Sequence, residues 1–282
     1  MDVIKSLIPS RFFSSQLVIP VVRLHGAIMD STTSIARTLS LGKCANLLDK
    51  AFAYKKAPAV AIVINSPGGS PVQSRFIFKR IRDLAEEKKK RVLVFIEDVA
   101  ASGGYMIACA GDEIFADPSS VVGSIGVVSS SFGFPELLKK IGVERRVYTA
   151  GKNKVTLDPF QPEKKADIEH LKSLQLEVHQ TFIDLVKERR AEKLSNDPDI
   201  FTGMFWSGKK GVELGLVDGL NDIRSVIKER FGDDTKLRLI TPPKSLLGLK
   251  IPSGITSHAA YTVADSALTA LEERALWQRY DL

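Results

Sequence analysis

Two apolar runs set the frame for this chain: A-V-A-I-V-I from Ala59 to Ile64 and V-L-V-F-I from Val92 to Ile96. Each reads as a buried strand. Each leads into a Gly-Gly turn, Gly68-Gly69 after the first and Gly103-Gly104 after the second, and then into a helical pattern. Strands alternating with helices imply parallel β-structure and crossover connections. A parallel sheet brings both Gly-Gly turns near one edge.

The first turn, I-N-S-P-G-G-S, has a marked helix start, with Ser70 as N-cap and Pro71 at the first helical position. Ile77, Ile81 and Leu84 then follow helical spacing. An ordinary tight turn is one reading. A phosphate cradle is a poorer one, because neither G-x-x-x-x-G-K-[ST] nor G-x-G-x-x-G follows a strand here. The second turn, D-V-A-A-S-G-G-Y, centres on Ser102, ahead of a short buried helix from Tyr105 to Ala110. A helix N-terminus offers free N–H groups and favours negative charge. Glycines there let another backbone approach closely. A nucleophile needs this combination of a bare hydroxyl and ready oxyanion donors. The competing reading is that Ser102 only caps the helix. As nucleophile, Ser102 would have the amides of Gly103 and of Gly69 or Gly68 for its oxyanion.

I-N-S-P-G-G-S, then A-A-S-G-G-Y, then V-G-S-I-G-V resembles the signal peptide peptidase A family of serine proteases, over roughly Val18 to Asp222. The resemblance implies an α/β fold: a Clp protease/crotonase-like superhelix of repeated ββα units, with a long helix and a C-terminal extension. It also implies a serine endopeptidase acting on apolar peptides such as signal peptide remnants, without ATP. Members of this length form homo-oligomeric rings in which the active site can be shared between subunits.

The proton acceptor is less obvious. The four histidines are His25, His170, His179 and His258, and none lies shortly after Ser102. A Ser-His-Asp triad is therefore poorly supported, and a Ser-Lys dyad is the alternative. The resemblance puts the base in Y-T-A-G-K-N-K-V-T-L-D-P-F, at Lys154, with Lys152 as competitor. A neutral lysine needs desolvation, for which Val155, Leu157 and Phe160 are suitable walls. An exposed loop lysine is the plain alternative. Ser124 either holds the lysine amine or is a turn serine.

The formal net charge is +7, but acids are interleaved with the bases. The run Lys88 to Arg91 is explained by a solvated helix C-terminus. No zinc-finger or RNP-type pattern is present, so nucleic acid is not an expected partner. Cys44 and Cys109 make no disulfide framework, and no C-x-x-C or H-E-x-x-H points to a metal. No cofactor is expected.

Three regions follow. Residues 1–17 form an N-terminal segment without a signal-peptide pattern, interrupted by Pro9. Ile4, Leu7, Ile8, Phe12 and Phe13 with Lys5 and Arg11 allow an interfacial helix, a frayed terminus being the alternative. Residues 18–240 form the peptidase domain. Within it a short helix at Pro135–Ile141, a strand at Val143–Thr149 and a long helix at Pro162–Lys193 are predicted. Residues 241–282 form a C-terminal arm that docks on its own core or on a neighbour. The expected place is the cytoplasm, with peripheral contact at the inner face of the membrane. Two other functions remain open here: a crotonase-type acyl-CoA enzyme, and a catalytically silent scaffold.

Overall fold

The computed structural model describes residues 16–30, 38–242 and 274–280. In chain order its elements are β1 (Val18–His25), α1 (Leu41–Phe52), β2 (Ala59–Ser66), α2 (Pro71–Lys88), β3 (Arg91–Ala101), α3 (Gly103–Ala108), β4 (Glu113–Ala116) and β5 (Val121–Gly123). They continue with α4 (Pro135–Lys140), α5 (Lys165–Arg190), β6 (Phe205–Ser207), α6 (Gly208–Glu213), β7 (Gly219–Leu220), α7 (Ile223–Phe231) and β8 (Lys236–Leu239). The sheet runs β6-β5-β3-β2-β1-β8, and β4 joins β3 to β7 off that path. Every pairing between these strands is parallel except β5 with β6.

The continuous apolar runs of β2 and β3 arise because both faces of the central strands are covered. Val60, Ile62 and Ile64 of β2, with Val92, Val94 and Ile96 of β3, face the cluster that contains α1, α2 and α3. The alternate residues Ala61, Val63, Leu93 and Phe95 face α7 through Val226 and Ile227. Each fully buried isoleucine or valine contributes about 1.5–3 kcal/mol over its exposed state. The start of α2 is as predicted: Pro71 is its first residue and the Ser70 hydroxyl accepts the Gln73 N–H at 3.3 Å.

β3 outruns its apolar core by five residues, to Ala101. The pairing with β2 slips on the way, from Ile64 opposite Ile96 to Ser66 opposite Ala100. Asn65 manages this slip: its amide donates to Asp98 at 2.5 Å and its carbonyl oxygen accepts the Val99 N–H at 3.3 Å. The extra residues carry the second turn level with the first. The Gly-Gly turns after β2 and β3 thus lie side by side. Gly104 is needed there, because a methyl group on it would lie 2.5 Å from the Ser66 carbonyl oxygen.

The strand predicted at Val143–Thr149 is absent; those residues are irregular and exposed. No strand among the described residues pairs with this segment, so its backbone joins no ladder. α5 packs only its C-terminal half, through Phe182, Leu185 and Val186, while Leu174 of the predicted stripe stays 45% exposed. The N-terminal helix and most of the C-terminal arm expected from sequence lie outside the described residues. Of the arm, 274–280 are described and include a helical turn at 274–278.

Candidate active site

Ser102 sits between β3 and α3 with φ 51° and ψ −122°. A side chain rarely adopts this conformation, and it costs about 1–3 kcal/mol. The backbone is held on both sides: the Ser102 N–H donates to the Gly123 carbonyl at 2.8 Å, and its carbonyl accepts the Met106 N–H at 3.0 Å. Its hydroxyl makes no capping hydrogen bond with α3. The helix-cap reading therefore lacks its defining contact. A strained, uncommitted serine at a strand-to-helix turn is the geometry of an exposed nucleophile.

The two glycines of the first turn have different surroundings. The Ile28 N–H donates to the Gly68 carbonyl at 2.8 Å and the Ser70 N–H to the Ile28 carbonyl at 2.7 Å. This bridge turns the Gly69 N–H away from Ile28. The Gly68 N–H instead points to the Ser66 hydroxyl at 3.3 Å, which in turn donates to the Gly26 carbonyl at 2.7 Å. Gly69, Gly103 and Ser102 line one cleft of about 220 Å³, whose walls include Met106, Val127, Val178 and Phe182. Gly103 is the first residue of α3, so its N–H has no intrahelical acceptor.

The segment after β5 forms one rim of this cleft through Gly126, Val127 and Val128. The ring Nε2 of His179, on α5, lies 3.0 Å from the Ile125 carbonyl oxygen. This contact gives His179 a structural role that sequence spacing alone does not reveal. Ser124 is itself at φ 52° and only 2% exposed. Its N–H donates to the Met204 carbonyl at 2.7 Å, and its hydroxyl accepts from the Tyr280 hydroxyl at 3.2 Å.

Lys154 does not meet the expectation of a shielded amine within one chain. It is exposed, on a turn closed by its N–H to the Gly151 carbonyl at 3.2 Å, as is the competitor Lys152. Lys154 is not among the residues lining the Ser102 cleft. Phe160, one expected wall, packs under Arg145 at 4.9 Å and beside Phe134 at 5.9 Å. The histidines within the described residues, His25, His170 and His179, do not line the cleft either, and His258 lies outside those residues.

Below the site, α3 is fixed by α5 and the loop after α6. The Tyr105 hydroxyl donates to the Leu216 carbonyl at 2.8 Å. Arg189 donates to the carbonyls of Cys109 at 2.9 Å and Gly111 at 3.1 Å, where α3 ends. Arg190, 2% exposed, forms a two-pronged pair with Asp218 at 2.8 and 3.1 Å. Burial pushes the Cys109 thiol up to about 12. Cys109, with no exposure, is thus a small core residue.

The profile of peptidase family S49 matches residues 84–234. Two proteins of Brucella, from B. abortus and B. melitensis and each named Na(+)/H(+) antiporter NhaA, are 65% and 64% identical over 99% of this chain. The chain spans only 39% of the length of each. The chloroplastic serine protease SPPA of Arabidopsis thaliana is 34% identical over 61% of this chain and 25% of its own length. Among solved structures, a mutant of a membrane-bound stomatin-specific protease aligns with a TM-score of 0.48 and 14% identity, covering 81% of this chain and 99% of that one. The helix-flanked, mostly parallel sheet is of the Clp protease/crotonase-like α/β class. With the family profile covering residues 84–234, the chain belongs to peptidase family S49.

Proposed function

We propose that the chain is a serine endopeptidase of the signal peptide peptidase A type, working through Ser102 and Lys154. The observation that carries this reading is the strained Ser102, whose hydroxyl caps no helix and which shares a cleft with Gly69 and Gly103. Ser102 Oγ attacks the peptide carbonyl while its proton passes to the neutral Lys154 amine. The N–H groups of Gly69 and Gly103 receive the oxyanion; Gly69 is preferred over Gly68, whose N–H is directed to Ser66. The lysine then protonates the leaving amine, and water releases the acyl group. Each oxyanion donor is worth about 10²–10³ in rate. The apolar walls favour apolar side chains, and the rim at 125–130 accepts the substrate as an added strand.

Lys154 is supplied by a neighbouring subunit in this reading. The segment bearing it is flanked by exposed apolar side chains: Phe132 is 80% exposed, Leu137 52%, Ile141 61% and Val143 50%. Such a concentration on a protein surface marks a contact area, and a homo-oligomeric ring would cover it. Work at the inner face of a membrane, by peripheral contact, is part of the same proposal. No helix among the described residues is long and apolar enough to cross a bilayer.

Acyl-CoA chemistry is less well supported, because the described lining of the cleft contains no acidic side chain. The silent-scaffold reading draws on the exposure of Lys154. Turnover of a quenched-fluorescent apolar peptide decides among them. Peptidase activity that falls at least about 10³-fold in Ser102→Ala supports the proposal. Unchanged turnover in that variant rejects it.

A further inference from the structure

The Ser102 cleft is partly filled by the chain itself. Leu276 and Arg279 line it together with Ser102 and Gly103. Two aromatic side chains anchor the segment beside them. Tyr280 is 7% exposed, and with Trp277 it packs on Val99 and Ala101, the residues of β3 that lead into Ser102. The Tyr280 ring meets Phe205 of β6 edge-on at 5.2 Å, and the Trp277 ring lies 5.6 Å from His25 of β1. The Tyr280 hydroxyl donates to Ser124 at 3.2 Å.

We propose that residues 274–280 are an intramolecular plug, with Tyr280 as its latch on Ser124, that must leave before the cleft can work. The segment acts at two places at once. Leu276 and Arg279 take space on the cleft wall that a substrate would use. Tyr280 covers Ser124, which keeps only 2% exposure beneath it, so no amine arriving from outside reaches that hydroxyl. The second effect rests on the Ser-Lys reading, in which Ser124 orients the base; the first does not. The occupant is an apolar-aromatic stretch with a basic residue, A-L-W-Q-R-Y, and the groove is therefore suited to peptides of that character. Occupancy of the cleft by the plug lowers the fraction of competent molecules, and the apparent affinity for substrate falls in proportion.

The test uses the full chain, unchanged and as Tyr280→Phe, which keeps the ring and loses the latch hydrogen bond. Trp277→Ala serves as a second, independent loosening. Two quantities are read: turnover of a quenched-fluorescent apolar peptide below saturation, and amide hydrogen exchange at 274–280. One hydrogen bond is worth about a fivefold change in the closed-to-open ratio. Both turnover and exchange at 274–280 are therefore expected to rise about fivefold in Tyr280→Phe, and at least as much in Trp277→Ala. Faster exchange in the variants with no peptide turnover in any form would retain the plug and defeat the peptidase reading. Ser102-dependent turnover that stays equal or falls in both variants, with unchanged exchange, would overturn the plug and leave the peptidase reading intact.

Discussion

Gly68 and Ser102 stand so close that a methyl group on Gly68 would lie 2.8 Å from the Ser102 Cβ and 2.8 Å from the Ala101 carbonyl oxygen. The two turns that follow β2 and β3 are thus packed against each other without room for a side chain. Gly68 also has φ +103°, which a side chain disfavours. Gly68→Ala is expected to destabilise the fold by about 2 kcal/mol or more and to abolish reaction of Ser102 with a fluorophosphonate. Denaturant melts and intact-protein mass spectrometry check both effects. A variant with normal stability and normal labelling would contradict the packing described.

Strain at Ser102 has its own signature. At φ 51° and ψ −122°, the position favours glycine over any side chain. Ser102→Gly and Ser102→Ala both remove the hydroxyl, but Ser102→Gly relieves the backbone as well. It is expected to be more stable than Ser102→Ala by about 1 kcal/mol. Equal or reversed stabilities in urea melts would mean that the turn is relaxed in solution.

The Arg190–Asp218 pair predicts an acid-sensitive core. Burial raises the Asp218 carboxyl, but hydrogen bonds from Arg190 and Lys193 and the Ile114 N–H outweigh it, so the group ends below its ordinary value. Its folded-state value is therefore lower than the unfolded value of about 3.9. The stabilisation is present above that unfolded value and is lost as pH falls through the folded one. Between about pH 5 and pH 2, spanning the carboxylate range, Asp218→Asn should lose stability less steeply than the unchanged chain. At neutral pH the same variant leaves Arg190 buried without its partner charge, at a cost of about 3–5 kcal/mol. Urea titrations of both forms across this range read slope and offset together.

Burial also makes a prediction for the thiols. Cys44 and Cys109 are both buried, and burial pushes each up to about 12. Neither should react with a disulfide reagent at about pH 8 in the folded protein, and both should react after unfolding. Rapid modification of either thiol under native conditions would show that α1 or α3 opens locally.

The central strands, α2 and the place of Ser102 were legible because their causes are local. Apolar runs bounded by Gly-Gly turns, and a Ser-Pro helix start, act within a few residues. The conformation of Ser102 was not legible in the same way. Its positive φ lies just beyond a register slip of β3 against β2, where Asn65 reaches Asp98 and Val99, contacts between residues more than 30 apart in sequence. The missing strand at Val143–Thr149 has the opposite cause: local β-formers such as Val143, Val147 and Tyr148 point to a strand, but no edge among the described residues pairs with it. Tyr280 was unforeseen because its partner, Ser124, is 156 residues away. The i, i+3 spacing of Trp277 and Tyr280 is the sequence signal that could have pointed to this buried contact.

In the proposed mechanism Lys154 activates Ser102 across a subunit boundary. Mass spectrometry of fluorophosphonate-treated protein at neutral pH tests it, using the unchanged chain, Lys154→Ala, Lys152→Ala, and Lys154→Ala coassembled with Ser102→Ala. An adduct is expected on Ser102 in the unchanged chain and in Lys152→Ala, none in Lys154→Ala, and its return in the mixed assembly. Labelling of Lys154→Ala alone at the unchanged rate would contradict it.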